Sequence, residues 1–238
     1  MDTPSNVALS SQMARERQMD VLANNIANLS TTAFKGEQMV FAEILANKGG
    51  ATVAYVEDAG TVRNWAQGPL TRTGNALDVA LQGAGFLEVQ TAQGVRYTRD
   101  GRLKLDPQGQ VVTLEGEAVL GDSERPIVVP QGTSTITIGQ DGTITSQAGN
   151  IGHLPVVNFD TLDALVGERD GLYNTDETPT PVTGTKVMQG MLEGSNVQSV
   201  LEMTRLMAAS RAIGMAKSFQ DNEADRHKTA IDRLGKTV

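Results

Sequence analysis

Two segments with helical periodicity lie at opposite ends of this sequence, and a long region of short β-prone runs separates them. In the first segment Met19, Leu22, Ile26 and Leu29 recur at spacings of three, four and three residues, which places them on one face of a helix. The second segment follows Gly194, and its broad apolar face includes Val200, Leu201, Met203, Leu206, Met207, Ile213 and Met215. The pattern predicts one long helix at each end of the chain.

The middle region predicts antiparallel β structure. Asp-Gly pairs at residues 100–101 and 141–142 are turn signals, and TITIGQDGTITS (residues 135–146) alternates on both sides of its turn, as a hairpin does. The runs PIVVP (residues 126–130) and LPVVNF (residues 154–159) predict two further short strands. A small barrel or sandwich is the expected form of this domain.

Two long amphipathic helices must bury their apolar faces against each other or against another chain. The predicted fold class is therefore α+β, in which the N- and C-terminal long helices are paired as a coiled-coil-like core domain, with a central antiparallel β domain. The sequence leaves open whether the helices already pair in the free monomer.

The composition excludes several classes of function. The 238 residues include no cysteine and two histidines, which excludes disulfides, cysteine nucleophiles, thiolate metal sites and three-histidine metal sites. The formal net charge is −8 without a block of basic residues, so we expect no nucleic acid partner. No apolar run approaches the roughly 20 residues of a membrane helix, and we expect no direct membrane insertion. The first residues also lack the pattern of a cleaved secretory signal.

The sequence contains no recognisable arrangement of catalytic or cofactor-binding residues. The segment QGAGF (residues 82–86) has two glycines but lacks the third glycine and the following helix of a dinucleotide site, so a tight turn is the better interpretation. Asp100, Asp106 and Asp141 lie in separate turns and not in one calcium-binding loop. We expect no enzyme activity, no cofactor and no metal site.

Three asparagines, Asn24, Asn25 and Asn28, lie inside the first predicted helix, although asparagine prefers caps and turns to helix interiors. They either mark a fraying helix end or supply amide hydrogen bonds across a packed interface, where donors and acceptors are both needed. The residue pattern alone leaves both interpretations open.

Four segments resemble, in order, the signature sequences of the axial proteins of the bacterial flagellum, which are the rod and hook subunits. The segments are ANNIANLSTTAFK (residues 23–35), TGNALDVALQGAGFLEV (residues 73–89), YTRDGRLKLD (residues 97–106) and LEGSNVQSVLEMTRLMAASRA (residues 192–212). Within this family the hook protein is much longer, and the opening NVALSSQ (residues 6–12) together with the charged tail after Phe219 is more similar to a proximal-rod subunit than to a distal-rod subunit, which remains the alternative. Ala33 stands where the family usually has glycine, so a left-handed backbone there would be strained.

The resemblance implies a structural protein of the periplasmic rod in the flagellar basal body, which polymerises helically through its terminal helices to transmit torque. Its implied partners are further copies of itself, other proximal- and distal-rod subunits, and the flagellar export apparatus, which it would use without a cleaved signal peptide. The implied domains are a discontinuous helical rod-core domain (residues 1–36 with 195–238), an extended connecting segment (residues 37–72) and a β-rich outer domain (residues 73–194).

The same resemblance implies that the subunit interface lies mainly on the terminal helices. The expected interface residues are Leu22, Asn24, Asn25, Ile26, Asn28, Leu29, Phe34, Leu201, Met203, Leu206, Met207, Ile213 and Met215, and we expect intersubunit amide bonds from the three asparagines. Two alternatives of other classes remain. A peptidoglycan hydrolase, which some axial neighbours carry, would need a paired acid and base that the sequence does not single out. A flagellar assembly chaperone would bind partners through amphipathic helices without entering the filament.

Overall fold

The structure is a computed structural model that describes residues 3–48, 51–133, 135–147 and 149–234. The chain forms two compact units, each assembled from segments that are distant in sequence. The terminal unit comprises residues 1–27, 37–63 and 198–238, and the β unit comprises residues 28–36 and 64–197. The domain boundaries expected from the sequence remain a prediction about the assembled protein.

The terminal unit contains two helices and a long β hairpin. Helix α1 spans Thr3–Ala27 and helix α2 spans Ser199–Leu234. Strands β1 (Glu37–Lys48) and β2 (Ala51–Arg63) pair antiparallel along their whole lengths. Helix α1 contacts both α2 and the hairpin. Three segments of the chain therefore meet on the first helix.

The predicted coiled-coil-like core of paired terminal helices is wrong. The described residues form two α-helices and a large body of antiparallel β structure, and α1 packs against the β1–β2 hairpin as well as against α2. The contact between the helices is not a continuous apolar seam, because the buried polar side chains of Asn25 and Glu202 meet there. Met203 and Met207 of α2 are exposed. Apolar periodicity indicates that a helix has a face to bury, but it does not indicate which element covers that face.

The β unit consists of short strands joined by turns and by three single turns of 3-10 helix. Its strands are β3 (Leu70–Arg72), β4 (Val79–Gln82), β5 (Leu87–Thr91), β6 (Gly94–Thr98), β7 (Leu103–Leu105), β8 (Val111–Thr113), β9 (Ala118–Val119), β10 (Ile136–Ile138), β11 (Thr143–Ser146), β12 (Gly149–His153), β13 (Val157–Asn158), β14 (Val166–Gly167), β15 (Leu172–Asn174), β16 (Thr180–Pro181), β17 (Lys186–Gln189) and β18 (Met191–Glu193). The 3-10 turns are Asp122–Glu124, Leu162–Ala164 and Arg169–Gly171.

Seven of the sixteen strands described for the β unit belong to one sheet with the order β14-β15-β6-β5-β9-β8-β7. Strands β10, β11 and β12 form a separate three-stranded sheet, and the hairpin predicted at residues 135–146 is confirmed there as β10–β11. The strand predicted at residues 154–159 is reduced to β13. Residues 126–130 make only isolated bridges, since the prolines at both ends of this run lack a backbone donor.

Two strand pairs join the beginning and the end of the β unit. Strand β18 pairs with β3, and β17 pairs with β4, both antiparallel. The register places Glu193, the last residue of β18, opposite Leu70. The end of the β unit is thereby fixed next to its beginning.

The core of the β unit has an aliphatic part and an aromatic part. The aliphatic cluster is built from buried valine, leucine and isoleucine side chains of most strands, among them Val89, Val119 and Ile144. In the aromatic cluster Phe86, Tyr97, Phe159 and Tyr173 are buried, and Trp65 packs against them. The Trp65 ring lies 5.6 Å from the Phe86 ring and 5.2 Å from the Tyr173 ring, both in edge-to-face geometry.

Candidate functional site

Glu193 is the centre of a buried ionic cluster in the β unit. Its side chain is fully buried, and both carboxylate oxygens accept hydrogen bonds. One oxygen accepts from the Lys35 ammonium at 2.6 Å and from the Gly68 backbone N–H at 2.9 Å. The other oxygen accepts from the Arg99 guanidinium at 3.0 Å. One carboxylate therefore faces two cations.

Each cation of this cluster has further partners. The Lys35 ammonium also donates to the Ala66 carbonyl at 2.9 Å. The Arg99 guanidinium donates to the carbonyls of Gly83 and Gly85, both at 2.8 Å. Burial lowers the pKa of Lys35, the bond to Glu193 and its negative charge oppose that change, and the Arg99 charge adds to it.

The ionic cluster brings together all four segments that carry the sequence resemblance. Lys35 comes from the first segment, Gly83 and Gly85 from the second, Arg99 from the third and Glu193 from the fourth. The cluster is buried and its charged groups are bonded to one another and to backbone carbonyls, so it has no free group to offer to a substrate. Its chemistry is that of a structural joint between the two ends of the β unit.

Close backbone contacts surround this joint. A Cβ atom on Gly68 would lie 2.0 Å from the carbonyl oxygen of Gly194, so the site requires glycine. Asn196 extends the joint, because its side-chain oxygen accepts from the Gly36 N–H at 2.8 Å and its amide group donates to the Asn64 carbonyl at 2.7 Å. Ala33 is buried with a φ of 56°, so the left-handed backbone that would be strained for an alanine is present, and its N–H donates to the Glu193 carbonyl at 2.8 Å.

Asn25 is the polar centre of the terminal unit. Its amide group donates to the Glu37 carbonyl at 2.8 Å, and its side-chain oxygen accepts from the Glu37 N–H at 2.9 Å. The same amide group donates to the Glu202 carboxylate at 3.2 Å, and Glu202 also accepts from Arg205 at 2.8 Å. The Asn25 side chain thus bonds both backbone groups of the first residue of β1, as a neighbouring strand would. It connects α1 with both β1 and α2.

The other two asparagines have different surroundings. The side-chain oxygen of Asn28 accepts from the Thr31 hydroxyl at 3.0 Å, and its carbonyl accepts from the Thr31 N–H at 3.2 Å. Asn28 therefore helps to form the turn that follows α1. The side chain of Asn24 lies on an exposed part of the helix.

Helix α2 has a covered face and an exposed apolar face. Glu202 and Ala209 are buried, and the predicted interface residues Leu206 and Ile213 are half-buried. The exposed apolar face consists of Val200, Leu201, Met203, Met207, Met215 and Phe219. Val200, Met203 and Met207 follow each other at spacings of three and four residues, so they lie side by side on the helix. Val200 is 77% exposed and Met215 is 68% exposed.

The remaining predicted interface residues differ in accessibility. Leu22 is buried, and Ile26, Leu29 and Phe34 are half-buried. The Phe34 carbonyl accepts from the Asn196 N–H at 3.2 Å, within the β unit. A partner subunit is not part of the structure, so the assignment of these residues to an interface stays a prediction.

Other kinds of site find no support in the described residues. Among them, no three histidine, aspartate or glutamate side chains are grouped closely enough to hold a metal ion. Neither helix, over the part that the structure describes, is long and apolar enough to cross a membrane.

Three models of protein families match the chain, in the order of its sequence. Residues 6–35 match the model described as flagella basal body rod protein. Residues 80–146 match the flagellar hook protein FlgE/F/G D1 domain, and residues 188–216 match the flagellar basal body rod FlgEFG protein C-terminal region. The three matches contain Lys35, Arg99 and Glu193 respectively.

Curated proteins resemble the chain over nearly its whole length. The flagellar basal-body rod protein FlgF of Caulobacter vibrioides is 40% identical over 99% of this chain and 99% of its own. FlgF of Rhizobium meliloti is 35% identical over the same shares. The flagellar basal-body rod protein FlgG of Agrobacterium fabrum is 33% identical over 88% of this chain and 90% of its own.

Proposed function

The chain belongs to the family of flagellar basal-body rod and hook proteins, and we propose on that premise that it joins neighbouring subunits through the exposed apolar face of α2. It is a structural subunit of the flagellar basal body, interacts with other rod subunits and is not an enzyme. The sequence identity and the coverage are greater for FlgF of Caulobacter vibrioides than for FlgG of Agrobacterium fabrum, and this difference supports a FlgF-like position in the proximal rod. A FlgG-like position in the distal rod is the alternative.

The observation that carries this proposal is the row of exposed apolar side chains on α2. Met203 is 47% exposed and Met207 is 52% exposed, although the opposite face of the same helix is covered. Contiguous exposed apolar surface is uncommon on soluble monomers and marks sites of interaction. In a rod subunit, the partner that covers such a face is a neighbouring subunit.

The geometry of a filament fits one long helix as the contact element. A head-to-tail contact that does not close on itself generates a filament. Helix α2 has 36 residues, which corresponds to roughly 54 Å at 1.5 Å per residue. A helix of this length can contact more than one neighbour, as helical stacking of subunits and torque transmission require.

The predicted interface residues divide into two roles in this proposal. Leu201, Met203, Met207 and Met215 contact neighbouring subunits, and Leu206 and Ile213 contact them where they are still accessible. Leu22 and Asn25 are buried within the chain and hold α1 in place. Asn24, Ile26, Asn28, Leu29 and Phe34 remain proposed interface residues. Passage through the flagellar export apparatus belongs to the same proposal and rests on the family resemblance alone.

A charged residue in the exposed apolar face tests the proposal. Cells that lack their own copy of the gene would receive the wild type, Met207→Lys or the control Val166→Lys. Val166 is also an exposed apolar residue but lies in β14 of the β unit. We expect Met207→Lys to abolish swimming and to be missing from purified basal bodies, because a lysine buried at an apolar contact is unpaired.

Val166→Lys should leave swimming and incorporation unchanged. Normal incorporation of Met207→Lys would contradict the proposed interface. A wild-type protein that supports swimming but is absent from purified basal bodies would instead favour the assembly chaperone.

A further inference from the structure

Among the residues whose exposure the structure describes, the exposed methionines are confined to the two helices. Met203, Met207 and Met215 lie on the exposed apolar face of α2, and Met13 of α1 is 52% exposed. The described methionines of the β strands are less accessible, and Met188 and Met191 are half-buried in β17 and β18. The exposed methionines of α2 thus lie where we propose that subunits meet.

The composition makes these methionine side chains the expected targets of oxidants. Thiols are the usual first targets of peroxide, and the sequence has no cysteine. Methionine is the next sulfur group that a two-electron oxidant attacks, and accessibility determines which methionine reacts. In a free subunit the methionines of α2 are therefore preferred targets.

We propose that Met203, Met207 and Met215 form a reversible oxidation site, at which hydrogen peroxide converts free subunits into a form that does not enter the rod; this rests on the proposed function. A lone pair of the thioether sulfur attacks one peroxide oxygen, an S–O bond forms, the O–O bond breaks, and the proton of the attacked oxygen passes to the departing hydroxide, which leaves as water. The sulfur loses two electrons and the peroxide gains them. Methionine sulfoxide reductases reverse the change.

The effect on assembly follows from the polarity of the product. A sulfoxide carries a strong hydrogen-bond acceptor, and burying it against an apolar neighbour leaves that acceptor unsatisfied. Methionine is unbranched and adapts to irregular apolar contacts, whereas the sulfoxide is polar. An assembled subunit has these side chains covered, so the oxidation acts on subunits that wait for incorporation.

The first experiment measures the oxidation rate of each methionine in the purified full chain. Hydrogen peroxide is added, and the sulfoxide content of each peptide is followed by mass spectrometry. Met203, Met207 and Met215 should oxidise several-fold faster than Met188 and Met191. Equal rates, or slower oxidation on α2, would overturn the proposal.

The second experiment measures assembly in cells that lack their own copy of the gene. Expression is induced with and without sublethal peroxide, and new flagella are counted. We expect peroxide to reduce the count roughly tenfold for wild type, as an unsatisfied buried acceptor would. For the triple Leu variant of Met203, Met207 and Met215, whatever its own count without peroxide, the count should be the same with and without peroxide, because leucine has no sulfur to oxidise. The Met13→Leu variant lacks an exposed thioether outside α2, and peroxide should reduce its flagella count as it does for the wild type.

A third variant separates this proposal from the proposed function. A triple Gln variant of the same methionines places polar groups on the face without any oxidation, and it should assemble poorly even without peroxide. If it assembles normally, the face is not an interface and the proposed function fails. If it assembles poorly but the triple Leu variant is as sensitive to peroxide as wild type, only the oxidation site is overturned.

Discussion

Glu193 balances two buried cations with one buried carboxylate. The substitution Glu193→Gln removes the negative charge and leaves Lys35 and Arg99 facing each other in the interior. We expect the β unit to lose about 3–5 kcal/mol of its free energy of unfolding, the usual cost of breaking a buried pair. Urea unfolding followed by the fluorescence of Trp65, the single tryptophan, measures the loss.

A partly exposed ion pair supplies the matched control for Glu193. Arg96 binds Glu168 at 3.0 Å, and the Glu168 side chain is 37% exposed. Glu168→Gln should cost less than about 1 kcal/mol, since water replaces the lost contact. Equal losses from the two substitutions would contradict the role given to Glu193.

Lys35 makes the stability of the β unit depend on pH. Its pKa is lowered in the folded state from the ordinary value of 10.5, chiefly by burial, so just below pH 10.5 the unfolded chain binds more protons. The free energy of unfolding contributed by this group therefore rises with pH in that window. We expect wild type to gain stability relative to Lys35→Met as the pH is raised towards 10.5. A stability difference between the two proteins that does not change with pH would contradict the shift.

The members of the ionic cluster could not be predicted from the sequence as a group. Lys35, Arg99 and Glu193 are single charged residues in separate motifs, and 158 residues separate Lys35 from Glu193. Local patterns carry no information about pairing over such distances. For Ala33 the sequence indicated only that a left-handed backbone would be strained, and the structure has this backbone at Ala33 although the side chain is not glycine.

At the scale of elements, Asn25 holds α1 against both β1 and α2. Asn25→Ala removes hydrogen bonds to the backbone of Glu37 and to the Glu202 carboxylate, and it leaves buried polar groups unsatisfied. We expect the terminal unit to lose about 1–3 kcal/mol, measured by urea unfolding followed by helical circular dichroism.

Asn24→Ala is the control for this substitution, because the Asn24 side chain is exposed on the same helix. It should change the stability by less than about 0.5 kcal/mol. Asn25→Asp tests the donor directly, since the aspartate keeps the shape but cannot donate to the Glu37 carbonyl. A stable Asn25→Asp variant would show that these bonds are not what holds the helix.

The elements themselves were predictable where local signals specify them. Periodicity located a helix at each end of the chain, and an Asp-Gly turn located the β10–β11 hairpin. The packing of α1 was not predictable, because an apolar stripe fits a hairpin or a helix equally well. The polar contact between Asn25 and Glu202 depends on residues 177 positions apart, and it excludes the continuous apolar seam of a coiled coil.

At the scale of the whole molecule, the two units should differ in local stability. The β unit has an extensive buried core, whereas α2 has an exposed apolar face along a 36-residue helix. We expect hydrogen exchange, followed by mass spectrometry on the free monomer, to be slowest in residues 64–197 and faster in α2. Equal protection along the chain would mean that α2 is fully stable before it meets a neighbour.

The pairing of β17 with β4 and of β18 with β3 determines when the protein can fold. Gly68 and Glu193 are 125 residues apart, so a chain that emerges from the ribosome has made its first strands long before their partners appear. During that interval β3 and β4 are unpaired edges, and Lys35 and Arg99 lack their carboxylate. A chain that ends before β17 therefore has open strands and is prone to aggregate. The β unit can therefore complete its folding only after β17 and β18 have been synthesised.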